Sequence, residues 1–114
     1  MESEIEILLK NNNIKYITQK TFDWLKYKDN LYLDFYLPEY NIAIECQGEQ
    51  HFSKFRWEKN DEKLKLRQNR DKVKQFLCEK IHNIKIIFYG KKKYNENIIT
   101  NKNNLIEIIK KYEN

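Results

Sequence analysis

The sequence is poor in the residues that punctuate, staple or anchor a chain. Two Gly and one Pro among 114 residues leave no linker, and no segment repeats. One domain over residues 1–114 is therefore the expectation. Two cysteines, Cys46 and Cys78, are too few for a disulfide scaffold. They point to a reducing compartment, the cytoplasm of a bacterial or host cell. No apolar run approaches the ~18 residues of a membrane span, and no charged-then-apolar start reads as a secretion signal. A domain of this length buries roughly two-thirds of its unfolded surface, enough for one modest core.

Charge is plentiful and unevenly placed. The net charge of +5 suggests a polyanionic partner only in general terms. Residues 1–50 carry five Lys against nine Asp and Glu, a net of −4. Residues 51–114 carry 17 Lys and Arg against eight Asp and Glu, a net of +9.

Periodicity gives a coarse map. Ile5, Leu8 and Leu9 mark an amphipathic helix over 3–11, with Ser3 as N-cap and Glu6 closing a capping box. The clusters Asn11–Asn13 and Asn101, Asn103, Asn104 read as helix ends and turns, because Asn tolerates left-handed backbone. Residues 14–18 and 21–25 are weaker strand candidates. Residues 61–80 read as a long helix, 84–89 as a buried strand and 103–112 as a closing helix. The order αβββαβα predicts an α/β or α+β fold, with helices on a small mixed sheet.

The hairpin at 31–47 is the strongest local signal. Leu31, Leu33, Phe35 and Leu37 alternate with Tyr32, Asp34 and Tyr36, and Ile42, Ile44 and Cys46 alternate with Ala43, Glu45 and Gln47. Pro38–Asn41 is turn chemistry. A four-residue loop pairs Leu37 with Ile42 and Tyr36 with Ala43, which puts Asp34 opposite Glu45 with Gln47 farther along the same face. Opposed like charges destabilise a strand pair unless a cation intervenes, and Mg²⁺ takes carboxylate, carbonyl and water oxygens. The plain alternative is a solvated hairpin face that carries two acids.

Asp34-Phe35-Tyr36-Leu37-Pro38, followed by Ile44-Glu45-Cys46-Gln47-Gly48-Glu49-Gln50-His51-Phe52, resembles the active-site hairpin of the PD-(D/E)XK nuclease superfamily. The resemblance is to small phage- and virus-borne endonucleases allied to very-short-patch repair and homing enzymes. Glu2-x-x-Ile5-x-x-Leu8-Leu9 and Asn12–Tyr16 resemble the opening helix and first strand, Thr21-Phe22 the approach to the hairpin, and Arg70-Asp71-x-x-Lys74 the second helix. The αβββαβ order is also that superfamily's restriction-endonuclease-like core, with the C-terminal helix as an addition.

The resemblance implies a metal-dependent DNA endonuclease that uses Mg²⁺, or Mn²⁺ in its place. Asp34, Glu45 and the Cys46 carbonyl would bind the ion. Glu2 matches the helix carboxylate, with Glu6 as its rival. Gln47 stands where many members have Lys. It can only orient a water by hydrogen bonding, which leaves activation of the nucleophile to the ion. His51 is placed near the metal as a proton donor to the leaving oxygen, against the plainer role of closing a loop. A second departure is Ile-Ile-Phe-Tyr-Gly at 86–90, which lacks a basic residue expected there.

Other groupings compete. Cys46, His51, Cys78 and His82 make a zinc tally, although Cys46 faces away from Glu45 and Cys78 has apolar neighbours. Lys63, Arg67, Arg70 and Lys74 form a helical stripe roughly 70° from the apolar stripe of Leu66, Val73 and Leu77. Beside a carboxylate pair, that stripe reads as phosphate-contacting rather than merely solvated. Lys54 and Arg56, interleaved with Phe55 and Trp57, add strand contacts, and Lys91–Lys93 is a basic loop run. Two other readings stay open: a catalytically lapsed nucleic-acid-binding module of the same fold, and a structural assembly partner. A chain of this size also leaves specificity to a homodimer or a partner protein.

Overall fold

A computed structural model of the chain describes residues 2–47, 62–91 and 98–112. Its elements are α1 (Glu2–Asn11), β1 (Ile17–Lys20), β2 (Lys26–Tyr27), β3 (Asp29–Asn30), β4 (Leu33–Leu37), β5 (Ile42–Cys46), α2 (Glu62–Phe76), β6 (Lys85–Tyr89), β7 (Ile98–Ile99) and α3 (Lys102–Lys111). A π-helical turn, Leu77–Ile81, continues α2. The fold is mixed α+β, with three helices around a five-stranded sheet in the order β1-β4-β5-β6-β7. β1, β4 and β5 pair antiparallel, whereas β5, β6 and β7 run parallel. This arrangement is consistent with a restriction-endonuclease-like core. No helix among the described residues is long and apolar enough to cross a membrane.

The central hairpin forms in the expected register, with Leu37 opposite Ile42 and Tyr36 opposite Ala43. Its turn closes through Asn41, whose N–H donates to the Leu37 carbonyl at 2.9 Å while its φ of 56° lies in the left-handed region. An asparagine takes that conformation at little cost, which is why the loop can be this short. The Tyr36 hydroxyl donates to Asn41 Oδ1 at 2.7 Å, and Asn41 Nδ2 donates to the Asn83 carbonyl at 2.9 Å. The turn is thereby tied to the lead-in of β6. Asn13 (φ 57°) ends α1 in the same way. Asn101 caps α3, its side chain accepting from the N–H groups of Asn103 and Asn104.

Apolar side chains collect on both faces of the sheet. One cluster joins Ile5, Leu9, Phe35, Leu37, Ile42, Ile44, Leu105 and Ile109, so α1 and α3 cover that face. The other joins Leu25, Leu31, Leu33, Ala43, Cys78 and Ile86, beneath the end of α2 and the π turn. The Leu31/33/35/37 alternation thus serves two clusters rather than one. The change lies opposite a residue of left-handed backbone in β1. Thr18 pairs with Phe35 and Lys20 with Leu33, and the intervening Gln19 has a φ of 52°.

Several boundaries move. α1 begins at Glu2, so Glu2 belongs to its first turn and Ser3 is not the N-cap. Strand β1 covers 17–20 instead of 14–18, because Ile14 is recruited to the helix end, its N–H donating to the Leu9 carbonyl at 2.9 Å. Residues 21–25 form no strand. Phe22 stacks on Trp24 with ring centres 4.7 Å apart, and Trp24 stacks on His82 at 3.7 Å.

Candidate active site

The backbone pairing of the hairpin reaches Phe35 opposite Ile44, and beyond it Asp34 and Glu45 are joined through their side chains. Their carboxylates are laced into each other's backbone. Glu45 Oε2 accepts the Asp34 N–H at 2.7 Å, and Asp34 Oδ2 accepts the Cys46 N–H at 2.9 Å. Each acid therefore fixes the strand that bears the other. Each carboxylate thus accepts a backbone N–H from the neighbouring strand.

The second oxygen of Glu45 is taken by a residue from outside the hairpin. Lys74, on the last turn of α2, places Nζ on Glu45 Oε1 as a hydrogen-bonded ion pair. Both groups are well covered, with side-chain exposures of 14% for Lys74 and 6% for Glu45. Burial is the largest influence on Glu45 and pushes its carboxyl up to about 7, with Asp34 adding to the rise and Lys74 opposing it. For Lys74, burial works against the charge, but Glu45 and then Asp34 outweigh it and the ammonium pKa is raised. Lys74 also lies 5.6 Å from the centre of the Tyr32 ring.

Asp34 faces a different company on its other side. Ligand atoms of Glu2, Asp34 and Cys46 lie within 4.8 Å of one another, with Glu2 exposed and the other two half-buried. Burial, then Asp34 and Glu2, push the Cys46 thiol up to about 12, so it is a neutral thiol near pH 7. Two carboxylates beside an unionised thiol make an oxygen-dominated donor set, which suits a hard divalent ion better than a thiophilic one. The helix carboxylate in this corner is Glu2.

Gln47 follows β5 and is 5% exposed, its backbone N–H donating to the Tyr89 carbonyl at 2.8 Å. Arg70 sits one turn before Lys74 and is half-buried. Lys74 does not stand on an open basic stripe, because its ammonium is enclosed against Glu45. Lys63 and Arg67 lie on α2, but their side chains fall outside the described residues, as do His51, Lys54, Arg56, Lys92 and Lys93 entirely. The zinc tally does not assemble among the described residues. Cys78 is buried in the cluster beneath the π turn, Cys46 packs against the other cluster, and His82 stacks on Trp24.

Lys74 as a partner of Glu45 is the site feature that sequence reasoning missed. Two signals pointed to it: a Gln at 47 where a Lys was expected, and a basic stripe close enough to the packing stripe to be partly covered.

The model of one family, described as restriction endonuclease PvuRts1 I-like, N-terminal, matches residues 3–114. No curated protein matches the chain.

Proposed function

The chain belongs to the PvuRts1 I-like restriction endonuclease N-terminal family, and from that premise we propose that it is a divalent-ion-dependent DNA endonuclease of PD-(D/E)XK type, with residues 1–114 as one nuclease domain. The observation that carries this reading is the buried Lys74–Glu45 pair set against Asp34 at the open end of a β-hairpin. It unites two acids and one ammonium, the charge set of a metal-assisted phosphodiesterase, although the ammonium comes from a helix rather than from position 47.

Asp34 and Glu2 would hold the ion, Mg²⁺ or Mn²⁺, with Cys46 at the margin, while Glu45 stays in the pair with Lys74 behind them. Such an ion supplies Lewis-acid polarisation of the scissile phosphate when bound. Lys74 orients Glu45 and furnishes positive charge where charge accumulates on the phosphate. Gln47 offers an amide that can orient a water but not take its proton. Arg70, one turn before Lys74, lines the space beside the pair, where Asp29 and Asp71 offset its charge.

Nicking of supercoiled plasmid in Mg²⁺ tests the assignment. Wild type should nick, Asp34→Asn and Glu45→Gln should abolish nicking, and Lys74→Gln should slow it by roughly 100-fold. An inert wild type, or acid variants that nick at the wild-type rate, would overturn it. A chain that binds plasmid yet leaves it intact is the lapsed binding module.

A further inference from the structure

A cavity of about 450 Å³ opens directly beside the Lys74–Glu45 pair, between the β3–β4 connection and α2. Lys74 is a wall of this cavity as well as the partner of Glu45, so the space adjoins the buried pair through that side chain. The remaining walls are unlike those of a phosphate site. Asp29 and Asp71 offset Arg70 and Lys74, and Lys74 is already paired with Glu45. A phosphate entering here would meet carboxylates with little net positive charge to receive it.

The lining suits an uncharged planar group with polar edges. Tyr32 borders the cavity and is 48% exposed, while its neighbour Leu31 is buried. The ammonium 5.6 Å from the Tyr32 ring centre helps define where that ring lies. Carboxylates accept from ring N–H and amino groups, and a guanidinium donates to ring nitrogens and carbonyls. An aromatic face with such a rim is the composition that stacks and holds a nucleobase.

We infer that this cavity is a nucleobase subsite, in which a base of the DNA strand adjoining the scissile phosphate stacks on Tyr32. The inference rests on the nuclease reading for the identity of the ligand and adds to it the feature of the substrate that is gripped. Tyr32 is a positioning residue here. It holds the base, and thereby the neighbouring phosphate, beside Asp34 and Glu45.

The test is equilibrium binding, in EDTA so that no strand is cut, of two labelled DNA oligonucleotides of equal length. One carries all its bases and the other is abasic throughout. Wild type should prefer the base-bearing strand by at least about fivefold. Tyr32→Phe and Tyr32→Trp should keep that ratio, and Tyr32→Ala should bring it close to one. Tyr32→Leu, which fills space without an aromatic face, should behave as Ala does and decides the matter if the Ala variant melts early. A wild-type ratio near one, or a preference that survives Tyr32→Leu, overturns the subsite. Plasmid nicking separates this result from the nuclease reading. A base preference without nicking sinks only the latter, and nicking without base preference sinks only the subsite.

Discussion

Asp34 and Glu45 lie on two neighbouring, paired strands, yet they live in different surroundings. Glu45 is enclosed, with one oxygen on the Asp34 N–H and the other on Lys74. Asp34 is half-buried, and its neighbours are the exposed Glu2 and the Cys46 thiol. Two chemically similar acids, one step from the same pairing, are thereby divided into a member of a buried ion pair and an open ligand. The difference teaches that strand register fixes where a carboxylate starts but not what it meets. The third element, α2, decides that.

The sharpest way to break this comparison is to remove the lysine. Lys74→Met strands a carboxylate in a covered position and should cost about 3–5 kcal/mol in urea unfolding. Asp34→Asn retains an oxygen that can accept the Cys46 N–H and should cost less than about 1 kcal/mol. Equal costs would erase the distinction between the two acids.

A second test uses pH. Glu45 is raised from 4.5 to about 7 on folding, so the folded chain binds more protons than the unfolded chain between those values. That contribution to stability is present below about 4.5 and is lost as pH rises through about 7, on the order of 3 kcal/mol in all. The slope should vanish in Glu45→Gln and persist in Asp34→Asn, as read from denaturant midpoints across pH 4–8.

The smallest expected effect concerns the open side. Mn²⁺ at about 100 times its dissociation constant should stabilise the wild type by about 2.7 kcal/mol in thermal or urea melts. Asp34→Asn should remove most of that gain and Glu2→Gln only part of it, because Glu2 is exposed and free to be replaced by water. An ion effect untouched by Asp34→Asn would place the ion elsewhere.

Much of this arrangement was legible beforehand. The hairpin register followed from strict alternation on both arms and from Pro38–Asn41, a loop whose length leaves one pairing. The helices followed from apolar spacing and Asn ends. What escaped the sequence had physical causes. Strand β7 is only Ile98–Ile99, two residues without a period to read. Ile14 looked like strand because it is apolar and β-branched, but helix closure claims it. Residues 21–25 are aromatic enough for a strand, yet Phe22 and Trp24 stack with each other and with His82. Lys74 escaped because a helical wheel ranks faces by hydropathy, and a lysine drawn under cover by one buried carboxylate looks the same there as a solvated one.

The lacing of the hairpin also has a temporal side. Asp34 and Glu45 are 11 residues apart, whereas Glu45 and Lys74 are 29 apart. Closing the longer loop costs only ~0.9 kcal/mol more in chain entropy, but during synthesis the difference is one of order. The two acids leave the ribosome together and can knit their strands at once, while the lysine that neutralises one of them is still held back behind them in the emerging chain. The newborn chain passes through an interval in which its acidic half has no basic half to answer it.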